Sequence, residues 1–230
     1  VEPVREHRFV LVLRGSDLAA EVTENDPQRT GLPKRPIEAL KPGAAQTADL
    51  LNRFVAEADR VLAAKQPANT VLLRGFAKRP TLPTLGDVFG LRCAAIAVYP
   101  MYRGLAKLAG MDILASGPTL REQFETLAHH YQDYDYFYVP YKKTDTAGED
   151  GDFERKVQAL EEADAHLPQL LALKPDVVMV TGDHSTPTVL RSHSWHPVPV
   201  LLCSDYCRPD GATQFNERAC AQGALGTFPA

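Results

Sequence analysis

Residues 176–187 read Asp176-Val-Val-Met-Val-Thr-Gly-Asp-His-Ser-Thr-Pro187. Four apolar residues in a row between turn formers predict a buried strand with both faces covered, as in a parallel α/β sheet. The strand leads directly into Asp183 and His184. Because ligands of open α/β sheets collect at the carboxyl ends of strands, a carboxylate and an imidazole here suggest a pair of metal ligands. On these residues alone, a strand followed by a polar turn that Asp183 caps fits equally well.

The composition is that of an ordinary soluble protein. The chain has 230 residues, 44% of them hydrophobic, which is enough for one large or two modest domains. A net charge of −4 gives no sign of a nucleic-acid or anionic-membrane partner. No apolar run approaches the ~20 residues of a membrane span, so we expect a cytoplasmic protein. The four cysteines lack the paired spacing of a zinc site and indicate reduced thiols. The oligomeric state stays open.

The secondary-structure pattern predicts two domains. Residues 80–90 are rich in Pro and Gly and separate a first domain at 1–88 from a second at 89–230. Predicted helices cover residues 47–65 (with Thr47 as N-cap), 100–108, 119–131, 153–167 and 217–222. Predicted strands cover residues 8–14, 69–76, 93–99, 134–139, 177–180 and 198–202.

Two arginines bracket the first predicted strand. Arg8 and Arg14 are six residues apart, so both side chains project from the same face. Guanidinium groups suit bidentate contacts with phosphate or carboxylate, and Arg74 at the end of the second predicted strand adds to this positive set. The alternative is that these arginines only flank an edge strand, and the spacing alone favours this alternative.

An acidic segment follows the predicted strand at 134–139. Four carboxylates within residues 145–152 repel one another unless cations neutralise them. Asp145 and Glu149 are four apart, so a helical turn between them would direct both at one ion. For the other two acidic residues we favour a solvated loop, with Asp152 as the N-cap of the next helix.

Two histidines, His193 and His196, lie just before the last predicted strand. A single histidine is more often structural, but two beside an Asp-His pair favour a metal site.

Three motifs in this order resemble the cofactor-independent phosphoglycerate mutases of the archaeal type, which belong to the alkaline phosphatase superfamily. They are Thr144-Asp-Thr-Ala-Gly-Glu-Asp-Gly151, Thr181-Gly-Asp-His-Ser-Thr-Pro187 and His193-Ser-Trp-His-Pro-Val-Pro199. The resemblance extends over essentially the whole chain, because the segments around Arg8, Arg14, Arg74 and Arg103 are also similar to that family.

The resemblance implies an α/β fold of the alkaline phosphatase type. Residues 89–230 would be the C-terminal half of its three-layer catalytic domain, preceded by a smaller α+β inserted domain. Two divalent ions, Mn²⁺, Mg²⁺ or similar, would bind: one to Asp183 and His184, the other to Asp145 and His193. Glu149 stands where many relatives have histidine, and a carboxylate there would favour harder ions.

The implied activity is the interconversion of 3-phosphoglycerate and 2-phosphoglycerate through a phosphoserine intermediate. The substrate would be clamped by Arg8, Arg14 and Arg74, with Arg103 as a weaker candidate from the catalytic side. The family's N-terminal segment, which supplies the nucleophilic serine and a further metal-binding aspartate, has no counterpart here. We therefore expect an incomplete polypeptide with negligible mutase activity on its own.

Two alternatives remain open at this point. The metal motifs are shared across the superfamily, so another phosphomutase or a phosphatase fits them; the arginines distinguish the phosphoglycerate enzyme. A non-catalytic module that keeps an anion pocket fits as well.

Overall fold

The structure, a computed structural model, describes residues 1–5 and 7–228 and divides the chain after Thr81. One unit is Val1–Thr81 and the other is Leu82–Ala230. The division falls at the Pro/Gly-rich stretch of the sequence, and the assignment of 1–88 and 89–230 to an inserted and a catalytic domain stays a prediction. Among the described residues, no helix combines the length and apolarity needed to cross a bilayer.

The first unit is built on one long helix. A 3₁₀ turn (Pro42–Ala44) leads into α1 (Ala45–Leu62), and β1 (Glu2–Arg5) pairs antiparallel with β2 (Arg8–Val10). Apolar residues of α1 recur at helical spacing and face the core. That core consists of Val22, Ile37, Ala44, Ala48, Leu51, Val55 and Leu73.

The prediction that Thr47 caps α1 is wrong. The 3₁₀ turn already sets a helical backbone at Ala44, so the helix begins at Ala45 and Thr47 lies inside its first turn. The Thr47 hydroxyl instead accepts a hydrogen bond of 2.9 Å from the backbone N–H of Ala19. It thereby ties the preceding loop to the helix.

The two strands predicted in this unit are also corrected. β2 ends at Val10, so Arg14 lies beyond it and the argument that Arg8 and Arg14 share a strand face fails. Residues 69–76 are not a strand. The side chain of the buried Asn25 pairs with their backbone, accepting from Leu73 N at 2.6 Å and donating to Val71 O at 3.2 Å. The Asn25 amide therefore supplies two of the hydrogen bonds that a neighbouring strand would supply.

The second unit is a mixed α/β structure around a parallel sheet. β3 (Cys93–Ala95) lies between β4 (Asp112–Ile113) and β5 (Tyr136–Tyr138) and pairs parallel with both. Its residues are almost fully buried, as expected for a central parallel strand. The helices are α2 (Leu85–Phe89), α3 (Pro100–Leu108), α4 (Leu120–His129), α5 (Lys143–Asp150), α6 (Phe153–Leu171) and α7 (Glu217–Cys220).

Local capping fixes the helix starts in this unit. Thr119 forms a capping box with Glu122 at the start of α4. Asp152 accepts a hydrogen bond of 3.0 Å from Arg155 N, which confirms its prediction as the N-cap of α6. Between α5 and α6, Gly151 has φ +73°, a left-handed conformation that glycine adopts without strain.

The strand at residues 177–180 exists, but its predicted setting is wrong. β6 (Val177–Val180) pairs antiparallel with β7 (Leu201–Ser204) rather than lying in the parallel sheet. Val177 is 55% exposed and Met179 is 59% exposed, whereas the alternate residues are half-buried. An antiparallel pair can expose one face, so a continuous apolar run did not require burial on both.

Candidate metal centre

Two segments of the second unit carry the polar residues singled out in the sequence. α5 carries Asp145 and Glu149 one helical turn apart. The expected loop at Asp150 is wrong, because the helix continues through Asp150 and ends at the left-handed Gly151. The loop after β6 carries Asp183, His184 and His193. An antiparallel bridge between Ser185 and Ser194, with Ser194 N 2.9 Å from Ser185 O, closes this loop and brings the two histidines side by side.

Asp145, His184 and His193 form the centre of the site. Their ligand atoms all lie within 4.8 Å of one another. Asp145 Oδ1 is 3.8 Å from His184 Nε2 and 3.7 Å from His193 Nε2. The two imidazole rings stack with their centroids 3.6 Å apart. Two nitrogens and one carboxylate oxygen therefore point at the same small volume.

Asp183 and Glu149 each lie beside one histidine of this group. Asp183 Oδ2 is 3.7 Å from His184 Nε2, and Glu149 Oε1 is 3.6 Å from His193 Nε2. The structure thus places all five predicted metal-binding residues in one continuous set at the end of β6. Their role as ligands stays a prediction.

The geometry of the central group fits a divalent ion. Ligand atoms that share one ion at ~2.1 Å are separated by roughly 3.0–3.4 Å, depending on coordination number. The two distances to Asp145, 3.7 and 3.8 Å, and the 4.8 Å that bounds all separations in the group are wider, so the side chains would have to move closer together to share an ion. A donor set of imidazole nitrogen and carboxylate oxygen suits divalent transition-metal ions.

Asp145 is held as a carboxylate. Burial of its side chain opposes ionisation, but hydrogen bonds from Lys142 and Thr186 outweigh burial and keep the pKa of Asp145 below its ordinary value. The Lys142 ammonium contacts Oδ2, and the Thr186 hydroxyl donates to Oδ1 at 2.7 Å. Oδ1 is therefore the oxygen that faces the histidines.

Thr186 and Lys142 contribute to the site, although the sequence analysis did not single them out. Thr186 is only 4% exposed, and its hydroxyl lies 3.0 Å from His184 Nδ1. Its carbonyl oxygen accepts a hydrogen bond of 2.6 Å from Lys156 Nζ. The only sequence signal for Thr186 is a hydroxyl two residues after a candidate ligand, which is too common to be diagnostic.

Aromatic side chains from α3 border the same region. Lys142 Nζ lies 5.4 Å from the centroid of the Tyr99 ring, a cation–π contact. Burial raises the pKa of the Tyr102 hydroxyl; Lys142 opposes this shift, and the carboxylates of Asp183 and Asp145 add to it. Neither tyrosine is marked as a neighbour of the site by any pattern in the sequence.

The four predicted substrate arginines are distributed over the two units. Arg8, Arg14 and Arg74 belong to the first, and Arg103 is an exposed residue of α3 in the second. Arg74 pairs with Asp26 at 3.5 Å and, more loosely, with Glu24 at 3.9 Å. Substrate binding by these arginines stays a prediction.

His196, which the sequence also suggested for the metal site, lies outside the three-residue group. Its ring stacks on Trp195 with centroids 4.8 Å apart, and its Nδ1 is 2.9 Å from Ser194 Oγ.

Comparisons with known proteins identify the family of this chain. A family model described as the metalloenzyme superfamily matches residues 28–230. The chain is 49% identical over 228 residues to a probable 2,3-bisphosphoglycerate-independent phosphoglycerate mutase of Thermosipho melanesiensis, covering 99% of this chain and 57% of that relative. A protein of the same name from Aquifex aeolicus is 45% identical over 240 residues, covering 100% of this chain and 58% of that relative.

Solved structures give the same result for the fold. A protein from Pyrococcus horikoshii is 28% identical with a TM-score of 0.72, covering 81% of this chain and 55% of that one. The cofactor-independent phosphoglycerate mutase from Thermoplasma acidophilum is 26% identical with a TM-score of 0.61, covering 92% of this chain and 57% of that one. These matches confirm the resemblance indicated by the motifs and the predicted α/β, alkaline-phosphatase-like fold class. The chain spans little more than half the length of the relatives it matches.

Proposed function

Because this chain belongs to the metalloenzyme superfamily, we propose that the protein containing it is a phosphoglycerate mutase that interconverts 3-phosphoglycerate and 2-phosphoglycerate. The observation that carries the proposal is the convergence of Asp145, His184 and His193 on one small volume. The relatives named as phosphoglycerate mutases support the choice of reaction.

We assign two divalent ions to the site, Mn²⁺, Mg²⁺ or similar. Asp183 and His184 hold one, and Asp145, His193 and Glu149 hold the other. When bound, the ions supply positive charge for the transferred phosphoryl group and lower the pKa of the attacking hydroxyl. Lys142 and Thr186 keep Asp145 ionised and oriented, since one contacts each of its carboxylate oxygens.

The proposed nucleophile is a serine from a part of the protein beyond these 230 residues. Its Oγ loses its proton and forms a bond to phosphorus as the bond to the glycerate O3 breaks, and O3 takes up a proton. The glycerate O2 then loses its proton and bonds to phosphorus as the Oγ–P bond breaks and the serine hydroxyl is restored. The relatives extend well beyond the matched region, which supports such a contribution. Without that serine, the 230-residue chain should bind metal but turn over no phosphoglycerate.

The arginines supply the substrate-binding charge in this proposal. Phosphoglycerate carries a phosphate and a carboxylate, and guanidinium groups bind both in bidentate fashion. Arg8, Arg14 and Arg74 are assigned to this role, with Arg103 as a further contributor. Arg74 forms ion pairs with Asp26 and Glu24. It must therefore release these carboxylates in order to bind the substrate.

The test is an assay of the whole protein with 3-phosphoglycerate, in the presence of Mn²⁺ and after chelation. We expect metal-dependent formation of 2-phosphoglycerate. Arg8→Ala should raise KM by about 10- to 150-fold, corresponding to the ~1.5–3 kcal/mol of a lost charged hydrogen bond. Arg53→Ala is the matched control, because Arg53 is an exposed residue of α1 that pairs with Asp49.

Two results would replace the proposal. Turnover of a ribose phosphate but not of phosphoglycerate would assign the protein to another phosphomutase of the alkaline phosphatase superfamily. Binding of phosphoglycerate without turnover of any phosphate ester would identify a non-catalytic anion-binding protein.

A further inference from the structure

The hydroxyl of Thr186 lies between two residues of the metal centre. Thr186 Oγ1 is 2.7 Å from Asp145 Oδ1 and 3.0 Å from His184 Nδ1. A hydroxyl has a single proton, so it can donate to only one of these neighbours and must accept a hydrogen bond from the other.

The chemistry of the two neighbours decides the direction. The Asp145 carboxylate is in contact with the Lys142 ammonium, and an ionised carboxylate is only an acceptor. Thr186 therefore donates to Asp145 and accepts from an N–H at Nδ1 of His184. A neutral imidazole with its proton on Nδ1 has its lone pair on Nε2. Nε2 is the atom that lies 3.8 Å from Asp145 Oδ1.

We propose that Thr186 is a positioning residue that holds His184 in the tautomer whose Nε2 lone pair faces Asp145 and His193. The proposal rests on the metal-binding role proposed for His184 and deepens it. Metal-ligating histidines are oriented by the partner of their other ring nitrogen. Here that partner is a hydroxyl that also fixes the carboxylate of the same site, so one side chain orients two ligands.

The surroundings of Thr186 keep its hydroxyl in place. The Lys156 ammonium donates to its carbonyl oxygen at 2.6 Å, and the residue is almost fully buried. α5 approaches it closely at Gly148, where a Cβ would overlap the Thr186 carbonyl oxygen and side chain. Both contacts fix the backbone of Thr186.

The test reads the tautomer directly and without metal. In the whole protein with ¹⁵N-labelled histidines, chelated and held at a pH where imidazoles are neutral, the protonated and unprotonated ring nitrogens differ widely in chemical shift. The signals of His184 are identified by their loss in His184→Gln. We expect the proton of His184 on Nδ1. Thr186→Val, which keeps the shape and removes the hydroxyl, should release this preference, and Thr186→Ser should keep it.

Metal affinity gives the second readout. Thr186→Val should weaken Mn²⁺ binding by about 10- to 100-fold, as loss of such a partner does in other sites, while Thr186→Ser stays close to wild type. A His184 proton on Nε2 in the wild type, or an unchanged tautomer or Mn²⁺ affinity in a folded Thr186→Val, would overturn the proposal. If the wild type binds no Mn²⁺ but shows the Nδ1 proton, the proposed function fails while the tautomer assignment is upheld.

Discussion

The imidazole rings of His184 and His193 stack with their centroids 3.6 Å apart and an angle of 24° between their planes. Nine positions separate them in the sequence, and the Ser185–Ser194 bridge holds the two ends of their loop together. Both Nε2 atoms lie within 4 Å of the same oxygen of Asp145. The arrangement of the three residues therefore depends on one backbone bridge and on the position of α5.

His193→Ala should weaken the stabilisation of the protein by Mn²⁺ without unfolding it, because one of the two proposed ions loses a ligand while Asp183 and His184 stay in place. The His193 side chain is 56% exposed, so the metal-free variant should stay within about 0.5 kcal/mol of wild type. At a Mn²⁺ concentration 100-fold above Kd, the wild type should gain about 2.7 kcal/mol in its free energy of unfolding. Urea unfolding with and without Mn²⁺ measures both quantities.

His196→Ala is the control, because His196 belongs to the same loop but lies outside the three-residue group. It should keep the Mn²⁺ effect. An undiminished effect in His193→Ala would remove His193 from the ligand set.

Gly148→Ala should destabilise the second unit. A Cβ at this position overlaps the Thr186 carbonyl oxygen, and such overpacking costs about 1–3 kcal/mol. The control is Gly104→Ala in α3, where an added Cβ meets nothing within 4 Å and the better helix propensity of alanine should stabilise by about 0.5–1 kcal/mol. The two substitutions should change the free energy of unfolding by urea in opposite directions. An unchanged stability in Gly148→Ala would contradict the close approach of α5 to Thr186.

Asp135→Asn should flatten the acid side of the pH–stability profile. Hydrogen bonds from the Arg92 guanidinium and backbone N–H lower the pKa of Asp135 to about 2. The unfolded chain, with an Asp pKa near ~3.9, binds this proton more readily. The stabilisation is therefore present above about pH 4 and is lost as the pH falls through about 2.

Unfolding free energies of wild type and Asp135→Asn between about pH 2 and 6 measure this contribution. Arg92→Ala should remove only the guanidinium share of this contribution, because alanine keeps the backbone N–H that donates to Asp135, and the double variant should remove no more than Asp135→Asn alone. If the unfolding free energy of Asp135→Asn fell more steeply with acidification than that of wild type, the predicted direction of the Asp135 contribution would be wrong.

Asn25→Ala should destabilise the first unit by about 2–5 kcal/mol, because it leaves Leu73 N and Val71 O in the interior without the amide that pairs with them. Asn216→Ala gives a contrast, since its side chain caps only the short helix α7 and should cost about 0.5–2 kcal/mol. Equal effects in thermal or urea unfolding would argue against the special role of Asn25.

Local signals in the sequence predicted much of the second unit. The cap at Asp152, the helical turn that carries Asp145 and Glu149, and the strand at residues 177–180 all follow from short-range patterns. The pairing partner of that strand could not be predicted from such patterns, because β7 lies more than twenty positions further along the chain. An apolar run identifies a strand without identifying what covers it.

The first unit was predicted less well for the same reason. Residues 69–76 have the composition of a strand, but the buried amide of Asn25 meets their hydrogen-bonding needs from a distant loop. Thr47 has the residue type of an N-cap, but the 3₁₀ turn before it displaces the helix start. Thr186 and Lys142 were missed in the site because their importance lies in distances to Asp145, which no spacing in the sequence expresses.

The bridge between Ser185 and Ser194 holds the two histidines at the base of this loop, away from its exposed tip. His184 and His193 lie next to the two bridged serines, whereas Val189, in the middle of the loop, is 88% exposed. Insertions or deletions around Val189 can therefore accumulate during divergence without displacing the ligand pair. New surface contacts can thus arise at the exposed tip while the spacing of the two imidazoles is preserved.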